Sequence, residues 1–125
     1  MYLKNTFDFE VSDIEKQIFY MLPLAACDQC LQVNIDMLER FDGDTSKITM
    51  VLIGTLNDAE LGQRVQSLTS KFKTIKDRKS KIYKYETGLS KPLLVHIEAG
   101  KCKMMKEIAD NEIEYISEYL IEQIP

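Results

Sequence analysis

Patterns typical of β-strands occupy much of the first half of the chain. Residues 7–11, FDFEV, alternate apolar and polar and predict a short, half-exposed strand. The segment KQIFYML is rich in β-branched and aromatic residues and ends at Pro23, which predicts a buried strand that runs into a loop. Residues 46–56, SKITMVLIGTL, form a continuous apolar run, which predicts a central parallel strand covered on both faces.

Helical spacing marks three further segments. In residues 31–41, LQVNIDMLERF, the apolar positions fit a helix and a strand alike, and the length of the segment and the following DGD favour a helix. Asn57 and Glu60 have the spacing of a capping box and predict the start of a second helix. The apolar stripe of that helix consists of Leu61, Val65, Leu68 and Phe72. Asn111 and Glu114 repeat the capping spacing and predict a C-terminal helix.

The remaining segments define the predicted topology. The polar stretch after Phe72 contains a possible short strand near Thr74–Lys76 and a helical turn around Tyr83. The segment PLLVHIEAGKCKMMKEI predicts two strands joined by an Ala-Gly turn, which is a β-hairpin. Strands separated by helices imply parallel pairing, and the hairpin adds antiparallel strands. We therefore expect an α/β three-layer sandwich, with a mixed sheet, helices on both faces, and a C-terminal hairpin plus helix.

Size and composition narrow the class of protein. The 125 residues fit a single domain, residues 1–125, that buries a core without needing disulfides. A net charge of −4 argues against nucleic-acid binding, because neutralising phosphates requires a basic surface. No apolar run is long enough to span a bilayer, and we expect a monomer. The N-terminus, MYLKNTFDFE, lacks the basic-then-apolar order of a signal peptide.

The candidate chemistry lies in the stretch LPLAACDQCL, which holds Cys27 and Cys30. The chain has three cysteines, so a fully paired disulfide framework is excluded within one chain. The pair is half of a metal site, a redox couple, or two small buried side chains. Its position between a buried strand and a helix favours the redox couple, because a helix N-terminus stabilises a thiolate. The carboxylate of Asp28 acts in the opposite direction.

The chain resembles the thioredoxin-like superfamily over about residues 17–124. The resemblance rests on FYMLPLAACDQC, on LSKPLLVHIEAGKCKMM and on the final amphipathic helix. It implies that Pro92 follows a cis peptide bond, packs against the cysteine pair and, with Lys91, lines a groove for the substrate's extended backbone. The polar segment before Pro92 is similar to the redoxin and exported thiol–disulfide oxidoreductase branch. The resemblance therefore implies an exported or periplasmic protein if a signal precedes Met1, and a cytoplasmic one otherwise.

The implied function is thiol–disulfide exchange on a protein or peptide substrate. Cys27 would attack, Cys30 would resolve the mixed disulfide, and no cofactor beyond this dithiol is implied. The chain departs from the family at Ala26, where an aromatic residue is usual, and at Met21, where a buried carboxylate is frequent. Asp-Gln also replaces the common Gly-Pro or Pro-Pro between the cysteines. The alternative function is a non-catalytic thioredoxin-fold binding module that keeps its cysteines as relics.

Two other groups of residues offer weaker functional readings. A zinc site would have to recruit His96 and Cys102, yet His96 lies roughly 13 Å along a strand from Pro92, so we expect no metal. We interpret His96 as a partly exposed strand residue and Cys102 as a hairpin side chain without a role. A basic stretch precedes Pro92 and consists of Lys71, Lys73, Lys76, Arg78, Lys79, Lys81 and Lys84. We favour a solvated surface over a docking patch for these residues.

Overall fold

The computed structural model describes residues 15–24, 28–56, 59–77 and 91–125. The predicted strand at 7–11, the capping residue Asn57 and the turn around Tyr83 lie outside the described residues. The strands are β1 (Lys16–Pro23), β2 (Ile48–Ile53), β3 (Lys73–Asp77), β4 (Leu93–Glu98) and β5 (Lys101–Glu107). The helices are α1 (Asp28–Arg40), α2 (Ala59–Lys71) and α3 (Ile113–Gln123). The choice of a helix after Cys30 is thereby confirmed.

The five strands form one mixed sheet in the order β3-β2-β1-β4-β5. Strand β1 pairs with β2 in parallel, and β2 pairs with β3 in parallel. The pairs of β1 with β4 and of β4 with β5 are antiparallel. This arrangement confirms the predicted α/β class and its mixed sheet, with β1 as the central strand.

Strand β1 is buried on both faces from Ile18 to Pro23. Its residues Ile18, Tyr20 and Leu22 join the larger apolar cluster, to which α1, α2 and α3 all contribute. Its residues Phe19 and Met21 join a smaller cluster on the opposite face. The three helices of the described residues thus share one face of the sheet. No helix among the described residues lies on the second face, so helices on both faces stay a prediction for that face.

Polar contacts join the helices on the shared face. The Arg64 guanidinium on α2 donates to both Asp36 and Glu39 on α1, at 2.6 Å to Glu39 Oε1. The Lys71 ammonium donates to the carbonyl oxygens of Leu38 and Glu39, at 3.0 and 2.9 Å. Because these carbonyls lie in the last turn of α1, Lys71 caps that helix. One member of the basic stretch therefore has a structural role.

The C-terminal hairpin forms as predicted, and the last helix begins differently from its prediction. Ala99 and Gly100 connect β4 to β5 with φ angles of 52° and 75°. Positive φ at both central residues is the geometry of a type I′ turn. Ahead of α3, the Glu112 carboxylate accepts a hydrogen bond from the Ala109 N–H at 3.2 Å, and a 3-10 turn spans Asp110–Glu112. The capping interaction thus uses Ala109 and Glu112 instead of Asn111 and Glu114.

The peptide bond before Pro92 requires a correction. The described residues contain no cis peptide bond, so the Lys91–Pro92 bond is trans and the prediction of a cis bond was wrong. The trans form is the more stable form of X–Pro bonds by about 0.5–1 kcal/mol, and the extended entry into β4 is compatible with it. The described residues also include no helix that is both long and apolar enough to cross a membrane.

Gly43, in the loop after α1, packs closely enough to predict the effect of a substitution on stability. A Cβ atom at Gly43 would lie 2.2 Å from the backbone oxygen of Ile124 and 2.5 Å from the tip of the Phe41 ring. We expect Gly43→Ala to lower the free energy of unfolding by about 1–3 kcal/mol, because the clash with backbone forces a shift. Urea unfolding followed by circular dichroism measures this change.

Gly62 supplies the matched control for that experiment. It lies within α2, and an added Cβ there meets no atom within 4 Å. Gly62→Ala should raise the free energy of unfolding by about 0.5–1 kcal/mol, because alanine loses less backbone entropy in a helix. Equal effects of the two substitutions would contradict the packing of the Gly43 loop against the C-terminus.

Candidate functional site

The candidate site lies at the carboxyl end of the central strand. The register pairs Pro23 of β1 with Ile53 of β2, so the two parallel strands end at the same edge of the sheet. The Leu24 N–H donates to the Ile53 carbonyl at 2.9 Å and extends the contact past the strand. Helix α1 begins at Asp28, directly after Cys27 in the sequence. Cys27 itself lies outside the described residues, so its role stays a prediction.

Cys30 is half-buried in the first turn of α1. Its Sγ lies 4.0 Å from Oδ2 of Asp110, an exposed residue 80 positions later in the chain. The Asp110 carboxylate is thus the charged group nearest this sulfur among the contacts that the described residues make with it. The sequence carries no local signal for this neighbour, because only the return of the chain after β5 brings Asp110 to α1.

A buried hydrogen-bond chain fixes the first turn of α1 against β1. The Tyr20 hydroxyl donates to Oδ1 of Asn34, and Nδ2 of Asn34 donates to the backbone carbonyl of Cys30 at 2.6 Å. Tyr20 and Asn34 are both fully buried, and burial raises the pKa of Tyr20, so its hydroxyl remains a neutral donor. Asn34 interrupts the apolar face of α1, which is the sequence signal that could have identified it.

Lys91 and Pro92 lie at the same edge of the sheet. Leu93, the first residue of β4, pairs with Met21, so the residues before it lie beside the carboxyl end of β1. Pro92 is buried, and its carbonyl accepts a hydrogen bond from the Ile108 N–H at 2.8 Å. Since Asp110 follows Ile108 by two residues, this bond links Pro92 to the turn that approaches Cys30.

Charged residues on and next to that turn form a small network. Lys106 Nζ lies 2.5 Å from Glu112 Oε2. The pKa of Glu112 is lowered by this hydrogen bond first, then by the Ala109 N–H, with a further contribution from the charge of Lys91. Lys91 is exposed, so its positive charge is available to a bound molecule at this edge.

A second buried polar pair lies away from this edge. His96 of β4 was expected to be partly exposed, but its side chain is fully buried. Its Nδ1 lies 2.6 Å from the Tyr119 hydroxyl of α3, and the rings meet edge-on with centroids 5.9 Å apart. His96 is buried because successive residues of a strand face opposite sides of the sheet. Val95 lies on the second face and His96 on the helix-covered face, where Tyr119 packs over it.

The remaining residues considered as metal ligands do not lie together. Cys102 is an exposed thiol on β5, paired in register with Ile97 rather than with His96. Within the four described segments, no group of three or more histidine, cysteine or acidic side chains converges in a way that suits a metal ion.

Comparison with known proteins places the fold. No family model matches the chain, and no curated protein matches its sequence significantly. StoA from Bacillus subtilis matches in structure with 17% identity, 84% of this chain and 81% of that chain covered, and a TM-score of 0.52. A secreted Mycobacterium tuberculosis disulfide oxidoreductase, homologous to E. coli DsbE, matches with 17% identity, coverage of 85% and 82%, and a TM-score of 0.49. An uncharacterized thioredoxin-like protein from Porphyromonas gingivalis matches with 13% identity, coverage of 87% and 77%, and a TM-score of 0.41.

The chain therefore has a thioredoxin-like fold. The mixed sheet, the helix that follows the central strand and the similarity to StoA agree with one another. At this identity the similarity concerns the fold alone. The resemblance noted in the sequence is thus confirmed at the level of the fold, although the cis peptide bond that it implied is not found.

The buried histidine predicts a pH dependence of stability. Burial lowers the pKa of His96 below its ordinary value of 6.5; Glu98 opposes this shift, and Lys103 and Lys16 reinforce it. As the pH falls, the unfolded chain therefore binds the proton before the folded one does. The stabilisation is complete above pH 6.5, the ordinary value, and decreases as the pH falls below it.

Urea unfolding of the wild type and of His96→Gln over this pH range tests the assignment. His96 is the chain's single histidine, so the variant should lose the part of the pH dependence that sets in just below neutrality. Glutamine keeps a polar partner for Tyr119. Parallel stability curves for the two proteins would show that His96 does not titrate between the folded and unfolded states.

Proposed function

We propose that the protein carries out thiol–disulfide exchange on a protein or peptide substrate through Cys27 and Cys30. One observation carries the proposal: α1 begins at Asp28, directly after Cys27, at the carboxyl end of the buried central strand of a thioredoxin-like fold. A helix N-terminus favours an adjacent thiolate, and a thiolate is the attacking species in disulfide exchange.

The proposed reaction has two steps that balance without a cofactor. The Cys27 thiolate attacks one sulfur of the substrate disulfide, forms a mixed disulfide and releases the other substrate sulfur as a thiolate that takes up a proton. The Cys30 thiol loses its proton and attacks Cys27, forming the Cys27–Cys30 disulfide and releasing the second substrate thiol. The substrate gains two electrons from the dithiol, and an external thiol restores the reduced pair.

The surroundings of Cys30 support this order of attack. Asp110 Oδ2 lies 4.0 Å from Cys30 Sγ, and its charge disfavours the Cys30 thiolate. Cys27 precedes the helix and so takes the stronger effect of the helix dipole. Cys27 is therefore the attacking residue in the proposal, and Cys30 resolves the mixed disulfide.

Substrate binding is proposed at the edge that Lys91 and Pro92 share with α1. Pro92 is buried and anchored through its carbonyl to Ile108, whereas Lys91 is exposed. A rigid proline beside an exposed cation suits an extended peptide, which has both apolar side chains and carbonyl groups to offer. The monomeric state belongs to the same proposal. The family resemblance adds an exported or periplasmic location if a signal precedes Met1, and a cytoplasmic one otherwise.

The competing function is a binding module with relic cysteines. One observation favours it: Met21 is buried in the second apolar cluster, so β1 carries no acid at the position where the family frequently has a buried carboxylate. A proton relay through that position is therefore missing. Disulfide exchange itself requires only two accessible thiols.

Trapping of a mixed disulfide tests the proposed order. Cys30→Ser should retain a disulfide peptide on Cys27, because no resolving thiol remains to release it. Cys27→Ser should retain little, because Cys30 lies beside the Asp110 carboxylate. Mass spectrometry of both variants after incubation with a disulfide-bonded peptide measures the trapped product.

Each outcome of the trapping experiment has a distinct meaning. Equal trapping, or trapping mainly on Cys30, would overturn the order of attack. No trapping on either variant, with circular dichroism showing intact folds, would favour the relic module.

The third cysteine should take no part in turnover. Cys102 lies on the edge strand β5, with its Sγ 3.7 Å from the Met104 carbonyl. We expect Cys102→Ser to change the rate of disulfide reduction by less than about twofold, below half a kcal/mol on the barrier. A tenfold loss in a reductase assay with a disulfide peptide would make Cys102 the resolving thiol instead of Cys30.

A further inference from the structure

A cavity of about 340 Å³ opens at the same edge of the sheet, on the opposite side of β1 from Pro92. Its apolar wall includes Leu24, Leu52 and Val65, and its polar rim includes Thr55 and Lys76. The cavity lies where the parallel strands β1, β2 and β3 end and α2 covers them. Ligands of open α/β sheets bind at the carboxyl ends of parallel strands.

Leu24 connects the cavity to the proposed reactive cysteine through the sequence. Leu24 lines the cavity and precedes Cys27 by three residues. Covalent geometry limits three residues to a span of about 11 Å, so a peptide bound to Cys27 reaches the cavity with a residue two or three positions from its own cysteine. Pro92 lies on the β4 side of β1 and the cavity on the β2 side, so such a peptide would cross the end of β1.

Lys76 places a positive charge at the cavity rim. It pairs in register with Leu52, which places it beside the apolar wall, and its side chain is exposed. Lys76 makes no ion pair with any residue that the structure describes, whereas Lys103 and Lys106 pair with Glu98 and Glu112. A cation beside an apolar cavity suits a ligand that carries an acidic residue next to an apolar one.

We propose that this cavity is a subsite for the disulfide-bearing substrate: it takes an apolar side chain two or three residues from the substrate cysteine, with an acidic residue facing Lys76. The subsite rests on the proposed thiol–disulfide exchange, since it assigns the specificity of that site. It defines the substrate class as proteins or peptides with an apolar-acidic pair near the reactive disulfide.

Gly62 provides a position from which a larger side chain would fill the cavity. It lines the cavity from α2, and an added Cβ meets no atom within 4 Å. The probe is a fluorescently labelled peptide in which a serine replaces the cysteine. Its Leu stands two residues from that serine and its Glu three residues from it. We expect Gly62→Leu to weaken its binding about tenfold, as loss of a small apolar subsite does, and Gly62→Ala to weaken it less. Fluorescence anisotropy gives the affinities, and circular dichroism checks the folds.

Reversing the charge tests the subsite independently of its volume. Lys76→Glu should weaken binding of the Glu peptide about threefold to fivefold, the range of an exposed ion pair, and should strengthen binding of a matched Lys peptide. Equal affinities of the wild type and the variants would overturn the subsite. A loss of affinity that is the same for the Glu peptide and the Lys peptide would overturn it too. Because Lys76 is exposed on the rim, this test stands even if Gly62→Leu does not fold.

A redox assay separates the subsite from the proposed function. The wild type should reduce a disulfide-bonded version of the Leu-Glu peptide, with cysteine in place of the serine, faster than it reduces hydroxyethyl disulfide, with dithiothreitol as the reductant. Both substitutions should lower the ratio of these two rates. Reduction of both substrates with no preference would overturn the subsite and leave the proposed function standing. Reduction of neither, with peptide binding still dependent on Gly62 and Lys76, would overturn the proposed function and leave a peptide-binding cavity.

Discussion

The burial of β1 between β2 and β4 is the constraint on which the rest of the structure depends. Every residue from Ile18 to Pro23 is buried, so the strand can occupy only the centre of the sheet, with apolar clusters on both faces. Strand β2 runs parallel to β1, and β4 runs antiparallel to it. The carboxyl end of β1 therefore meets the end of β2 on one side and the start of β4 on the other.

Two buried polar contacts position the helices that cover this strand. Tyr20 reaches Asn34 and, through it, the Cys30 carbonyl, which orients α1 over the end of β1. His96 meets Tyr119 and does the same for α3 over β4. Apolar packing is tolerant of small rotations, whereas a buried hydrogen bond is costly to break. These contacts therefore specify how the helices lie on the sheet, while the apolar clusters supply most of the stabilisation.

The charges at this end of the fold are arranged unevenly around the cysteines. Asp110 lies beside Cys30, and Lys91 and Lys106 act on Glu112 in the same turn. On the other side of β1, Lys76 places a positive charge on the cavity rim. This end of the fold has a negative charge beside Cys30 and a separate positive charge at the cavity. A small neutral disulfide has no charged group that could pair with either. This polarity is consistent with the peptide substrate of the proposed function.

Local patterns in the sequence determined most of the elements. The apolar run of β2, the Ala-Gly turn and the stripe of α2 each predict an element that the structure contains, because strand, turn and helix preferences act over a few residues. The same patterns and the CxxC context were enough for the thioredoxin-like fold. Only the tertiary structure decided the burial of His96, the trans bond before Pro92 and the contact between Asp110 and Cys30. That last contact joins residues 80 positions apart, and no local preference encodes a distance that arises only when the whole sheet closes.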